Sequence, residues 1–368
     1  MDEIVAARPP HLEHAVVRKQ PGTYAAFPVL ELLSDGRLAV AYLSNYANIK
    51  DHYGFGDWTV VTSADGGATW VPAPSDDLSI PFNWPGTSPR ERYDRFTGQM
   101  PDGSLVAAGG VGFEEWPASR AEEAEEAGRL VSAHPLRDAE SALVGGNRLF
   151  VQRSHDGGQT WERQVWDVPG AHRLNGFPRC TTLADGTILA PIYDGGEGAD
   201  ARTRVLVYRS TDNGASWQLR LVGSGAGVGY GDESALVETE PGLVLCLIRR
   251  APERLLESWS DDGGRTWSQA VHTDIWGYPP HLLKLRDGRI LCSYGHRRAP
   301  LGIQAVISAD GGRSWDLDHR AILRGDGETT DLGYPLSVQL PDDSIFTVYY
   351  MTIGGITHVA ASRWQLPW

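Results

Sequence analysis

Six short stretches of this chain gather groups that bind ligands and move protons. They are GTYAAFP around Tyr24, RYDRFTG with Tyr93 and Arg95, and RLNGFPR with Arg173, Asn175 and Arg179. The other three are GYGDES with Tyr230, Asp232 and Glu233, GYPPH with Tyr278 and His281, and DLGYP with Asp331 and Tyr334. Each stands before a run of apolar residues, and the Gly beside most of them suits a tight loop that exposes side chains. An apolar strand needs no phenol, imidazole or guanidinium at its mouth. Sugar sites do: aromatic faces cover the apolar side of the ring, and charged groups hold its hydroxyls and carboxylates. More such groups follow in KDHYGFGDW (Asp51, His52, Tyr53 and Asp57), LCLIRRAP (Arg249, Arg250) and SYGHRRAP (His296, Arg297, Arg298). Any one alone is as good a strand-end hydrogen bonder as a site residue; the recurrence is what points to a site.

Something must bring segments so distant in sequence together, and the chain repeats itself in a way that would. SADGGATW at residue 63 returns as SHDGGQTW at 154, STDNGASW at 210, SDDGGRTW at 260 and SADGGRSW at 308. The marker Asp residues (65, 156, 212, 262 and 310) are 91, 56, 50 and 48 residues apart. A second marker keeps the same beat: LLSDGRLAVAY, QMPDGSLVAAG, TLADGTILAPIY, LVETEPGLVLCLI, LKLRDGRILCSY and VQLPDDSIFTVYY. Each reads as two short strands joined by a turn centred on Asp-Gly or its equivalent. A hairpin followed by an octet-bearing hairpin makes four antiparallel strands, the size of a propeller blade. The expectation is an all-β, six-bladed β-propeller forming a single domain over residues 1–368. The sixth hairpin is followed by ITHVAASRW without an octet, and HAVVRK near the N-terminus is expected to supply that blade's outer strand.

The octets themselves read as scaffolding, because five equivalent copies cannot all face one pocket. Asp followed by Gly-Gly or Asn-Gly permits positive φ, and its carboxylate can accept N–H bonds within the turn. The closing Trp then buries a large face between blades. The 91-residue step contains EEWPASRAEEAEEAGRLVSAHPLRDAES, where Ser119 and Glu122 form a capping-box pattern, so a helical insertion is expected over 114–141 of blade two.

S-x-D-x-G-x-[ST]-W is the Asp-box, or BNR repeat, and five copies with six hairpins resemble the sialidase (neuraminidase) superfamily over essentially the whole chain. The resemblance implies an exo-acting glycoside hydrolase that removes a terminal sugar, acidic or neutral. It implies a Tyr nucleophile at the start of the last blade, matched by Tyr334, and a Glu base in the fourth, matched by Glu233. It implies an acid/base Asp after the first hairpin, matched by Asp51 and less well by Asp57. The chemistry is sound, since a phenol near pKa 10 attacks only if a carboxylate takes its proton. Three Arg bind the carboxylate of the sugar in that family. Arg249 or Arg250 matches the second and Arg297 or Arg298 the third, but Ala26 stands where the first belongs. Losing one charge-assisted hydrogen bond costs roughly 1.5–3 kcal/mol, and Arg95 or Arg179 is the expected substitute. Tyr93, Tyr278, His281, His296, His52, Tyr53 and Asn175 complete the expected substrate wall.

Two other readings use the same residues. A lyase beside a uronic acid would draw base and acid from His52, Tyr53, His281 and His296, with Arg297 and Arg298 neutralising the carboxylate. A non-enzymatic carbohydrate-binding propeller would use the pocket without turnover. The net charge of -14 argues against nucleic acid and anionic membranes as partners. No phosphate-binding Gly loop, C-x-x-C or H-E-x-x-H occurs, so no cofactor and no metal are expected. Cys180, Cys246 and Cys292 lie in apolar runs and read as reduced thiols. The acidic N-terminus shows no apolar signal core, so the chain as given is expected to be cytoplasmic.

Overall fold

The computed structural model describes residues 9, 11–45, 56–74, 77, 80, 96–99, 102–110, 113–129, 131–133, 140–157, 160–168, 171, 174–176, 180–195, 204–222, 231–250 and 254–366. The fold is all-β, a six-bladed propeller of four-stranded antiparallel blades. The chain divides into two compact units. Residues 1–93, 251–255 and 272–368 carry blades one, five and six; residues 94–250 and 256–271 carry blades two, three and four. In blade three the first strand comes in two pieces, Leu174–Gly176 and Thr181–Thr182.

The hairpins follow from their turn residues. In blade one, Ala25–Leu32 pairs with Leu38–Asn45 across a turn where Gly36 takes φ +87° and Asp35 accepts the Arg37 N–H. Blade six has Asp343 at the equivalent place, at φ +63°, a conformation Asp tolerates better than most residues. The N-terminal strand Glu13–Arg18 pairs with Ile356–Trp364, Glu13 opposite Arg363 and Val16 opposite Ala360. It is the outer strand of blade six, as the missing sixth octet required.

Every octet closes on itself. Ser63 Oγ donates to Asp65 Oδ1 at 2.7 Å and accepts the Gly67 N–H at 2.8 Å, while Thr69 gives its hydroxyl to Asp65 Oδ2 at 2.6 Å. The Ser-Asp and Asp-hydroxyl bonds recur at Asp156, Asp212, Asp262 and Asp310. In three octets the glycine at the fifth position then presses on a neighbouring blade. A Cβ on Gly67 would lie 2.2 Å from Phe346 of blade six, on Gly214 2.9 Å from Val106 of blade two, and on Gly264 2.7 Å from Leu189 of blade three. All three have positive φ. Trp217 and Trp267 extend this contact into the cores between blades two and three and between three and four.

The insertion carries the expected short helix, with a different cap and a small sheet beside it. Among the described residues its helix is Ala121–Glu126, after a 3-10 turn over Ala118–Arg120, and Ser119 does not cap it; the N-cap is Arg120 without a side-chain bond. Phe113–Pro117, Val131–Ala133 and Ser141–Gly145 form a small antiparallel sheet beside it. The physical reason lies in one carboxylate. Glu114 accepts Trp116 Nε1 at 3.1 Å and Arg148 Nε at 2.8 Å, and pairs with Arg129 at 3.4 Å. Arg120 and Arg129 also lie over the Trp116 ring, so a cross-strand cluster holds the sheet beside the helix. Gly128, at φ +71°, stops the helix. None of the described helices is long and apolar enough to cross a membrane.

Two measurements check this account of the octets. The Thr69 hydroxyl, chiefly, holds Asp65 at about 2. At Asp262 and Asp310 burial opposes ionisation but is outweighed by the Thr266 and Ser314 hydroxyls, and both also fall to about 2. Carboxyls depressed in the folded state stabilise it above their unfolded value, and that stability disappears as pH falls. Thermal melts should therefore lose midpoint steeply between about pH 4 and pH 2. Gly264→Ala, strained in φ and forced against Leu189, should lower stability by about 1–3 kcal/mol in denaturant unfolding.

Candidate active site

Two strands of the first unit bend in the same unusual way. Tyr334, at the start of Gly333–Gln339, has φ +51°, and Phe27, in Ala25–Leu32, has φ +54°. Both precede a proline, and both sit where the ladder slips register, between Gly333 and Leu336 and between Ala26 and Val29. Bulky residues avoid this conformation, which costs on the order of 1–3 kcal/mol and persists where surroundings enforce it. Here the enforcement is aromatic. The Phe27 ring meets Tyr334 edge-on at 5.1 Å, and Tyr350 lies 5.3 Å from Phe27 and 5.9 Å from Tyr334.

One carboxylate ties this cluster together. Asp331 Oδ2 accepts the Tyr24 hydroxyl at 2.6 Å, and Oδ1 accepts the Tyr350 hydroxyl at 2.7 Å. Burial, reinforced by the Asp331 charge, pushes the Tyr24 phenol far above its ordinary value. Burial does the same to Tyr350, helped by Tyr24 and Asp331. Both phenols therefore stay protonated donors to Asp331. Ala26 is fully buried, paired with Leu43, and brings no polar group to this corner.

The Arg297–Arg298 pair of blade five splits. Arg297 Nε donates to the Leu332 carbonyl at 3.1 Å, its guanidinium lies 5.3 Å from the centre of the Tyr278 ring, and its charge acts on Tyr350. Arg298 turns away and stacks on Trp276 at 3.7 Å. His296 meets the same Trp276 edge-on at 5.5 Å, with Nδ1 3.0 Å from the Pro300 carbonyl. Burial, then the charges of Arg320 and Arg298, lower its pKa against the pull of the Pro300 and Arg298 carbonyls. His281 is buried, and its Nδ1 accepts the Ser337 N–H at 3.3 Å, joining blades five and six.

In the second unit, Glu233 is buried and held by Arg249, whose Nη1 lies 3.0 and 2.9 Å from its two oxygens. Backbone bonds between Arg249 and residues 232 and 233 fix the pair in register. Arg249 Nε also approaches Asp232 at 3.5 Å. Burial, then the Glu233 charge, push the Asp232 carboxyl up. Of the two blade-four guanidinium groups, Arg249 thus serves the protein's own carboxylates, and Arg250 stands half-buried beside it.

The BNR repeat-like domain model matches residues 129–349. The chain belongs to that family. This BNR propeller is also similar to a sialidase of Bacteroides fragilis, 25% identical over 253 residues, which are 62% of this chain and 43% of the relative. It spans less than half the length of the curated sialidases it matches. Among solved structures, a protein of unknown function from Dyadobacter fermentans superposes with TM-score 0.72 at 25% identity, covering 97% of this chain and all of that one. The NanB sialidase of Streptococcus pneumoniae gives TM-score 0.62 at 14% identity, covering 96% and 70%; at that identity it speaks for the fold. The chain is a sialidase-superfamily BNR propeller.

Against that family pattern, the BNR propeller brings Tyr334, Tyr278 and Arg297 into one aromatic neighbourhood, with Tyr24 and Asp331. His296 and Arg298 gather on Trp276 instead. Asp51, His52, Tyr53, Tyr93, Arg95, Arg173, Arg179 and Tyr230 lie outside the described residues. Asn175 is placed by its backbone alone, opposite Tyr193. Sequence reading missed Tyr350, Phe27 and Trp276. Tyr350 sits inside an apolar strand where nothing but inward alternation marks it, whereas Trp276 directly precedes GYPPH and was there to be found. Among the described residues, no group of three or more His, Cys, Asp or Glu is arranged to hold a metal ion.

The Arg249–Glu233 pair is testable by itself. Arg249→Ala strands a buried carboxylate and should cost about 3 kcal/mol or more in unfolding experiments, with Glu233→Gln on the same background recovering part of the loss.

Proposed function

We propose that this chain is an exo-acting glycoside hydrolase of sialidase type, releasing a terminal sugar from a glycan with Tyr334 as nucleophile. Tyr334 is the observation that carries the reading: a phenol pinned at a left-handed bend between Phe27 and Tyr350, at the start of the last blade. Such strain is kept where a side chain must be aimed. In this reading the Tyr334 oxygen bonds to the anomeric carbon as the glycosidic C–O bond breaks. Glu233 takes the phenol proton, and Asp51 gives a proton to the departing oxygen. Water then cleaves the glycosyl–tyrosine bond, with Asp51 accepting a proton from the water and the phenol regaining its own. Arg250 and Arg297 hold polar groups of the sugar, and Tyr278 lines its apolar face. Resemblance to sialidases supports the hydrolase class.

One observation favours a second reading. His296 has a lowered pKa and a ring nitrogen engaged with the Pro300 carbonyl, beside the Arg298 charge. A neutral imidazole next to a guanidinium is suited to drawing a proton from the carbon beside a uronate carboxylate, as a lyase does.

Incubating the protein with a panel of oligosaccharides and weighing the products by mass spectrometry separates the two. A hydrolase adds the elements of water, whereas a lyase leaves an unsaturated uronate that absorbs ultraviolet light. Tyr334→Phe should reduce hydrolysis by at least about 10³-fold, and Glu233→Gln by roughly 10²–10⁴-fold. Turnover undiminished in both variants removes these roles.

A further inference from the structure

We propose that Asp331 is a specificity-determining residue: it makes the wall beside Tyr334 a seat for a sugar hydroxyl and closes it to a sugar carboxylate. The inference rests on the reading that a sugar binds against Tyr334. Hydrogen-bond inventory carries the argument. A phenol has one proton, and Tyr24 and Tyr350 both give theirs to Asp331, at 2.6 and 2.7 Å. These two hydroxyls therefore have no proton to offer a ligand. Ala26 and Phe27, the adjoining blade-one residues, bring no polar side chain.

The donor on this wall is Arg297. Its Nη2 is buried and makes no hydrogen bond among the described residues, while its Nε is fixed on the carbonyl of Leu332, next in the chain after Asp331. Among the described residues, the wall thus sets an anionic acceptor, Asp331, beside a cationic donor, Arg297. A hydroxyl both accepts and donates, so it satisfies Arg297 and Asp331 together. A carboxylate can only accept: it gains Arg297, is repelled by Asp331, and meets no compensating guanidinium from blade one. Charges a few ångströms apart near a protein surface matter by amounts that change affinity one to two decades. The selected class is a neutral terminal sugar.

Matched pairs test this: 4-methylumbelliferyl glucoside against glucuronide and galactoside against galacturonide, each in both anomers, with kcat/KM as the readout. Saturation-transfer NMR with the methyl glycosides gives the same ratio as binding, whether or not turnover occurs. Wild type should favour the neutral member of a pair by roughly ten- to a hundredfold. Asp331→Asn, which removes the negative charge, should narrow that ratio by about tenfold or more. Tyr24→Phe, which takes a donor from Asp331 and leaves its charge less compensated, should widen it; this variant decides the matter if Asp331→Asn fails to fold. A wild-type preference for the uronides overturns the inference, as does a ratio unmoved in the folded variants, and neither touches the hydrolase reading. Absence of cleavage with a neutral preference in binding sinks the hydrolase reading and keeps this one.

Discussion

The contact between an octet's fifth-position glycine and a side chain of the neighbouring blade is the constraint on which the rest rests. It works because three requirements coincide at one atom. The backbone must be left-handed there, the Ser hydroxyl must receive that residue's N–H, and a neighbouring side chain must approach closer than any Cβ allows. Phe346, Val106 and Leu189 fill the space that a side chain would occupy. Blade spacing is thereby fixed by excluded volume, with the Asp carboxylate holding the turn in the one shape that permits it.

With blades held this way, a local bend can be loaded. Phe27 and Tyr334 adopt a conformation that neither would keep in isolation, and each is stabilised by the other's ring and by Tyr350. The Asp331 carboxylate reaches across from the same blade six loop to two more phenols. Aromatic packing and two short charge-assisted bonds together offset the backbone strain.

Charge is handled locally throughout this acidic chain. The octet carboxylates are held in their charged form by hydroxyl and N–H donors, Glu233 is paired with Arg249, and Glu114 with Arg148 and Arg129. Guanidinium groups that a sequence reading would offer to a ligand are in part structural. The pair 297–298 shows why: consecutive residues at a strand's end point to opposite sides, so Arg297 meets the Leu332 carbonyl and Tyr278 while Arg298 meets Trp276.

The fold was legible because its signals are local. Asp-Gly turns, alternating apolar runs and a five-fold octet each depend on residues within a few positions, and counting six hairpins against five octets was enough to assign HAVVRK to blade six. The short helix of the insertion was legible from its local propensity, but the small sheet beside it was not, because the Glu114 cluster that supports that sheet spans thirty-four residues. Tyr334, Glu233, Asp331 and Tyr24 could be named from sequence, since Gly-flanked polar residues before apolar strands stand out. Their partners could not: that Arg249 grips Glu233, that Arg297 and not Arg298 turns to the phenols, and that Tyr350 shares Asp331 with Tyr24. Such pairings depend on which side chains the blades bring within three ångströms, and no spacing along the chain encodes a distance through space.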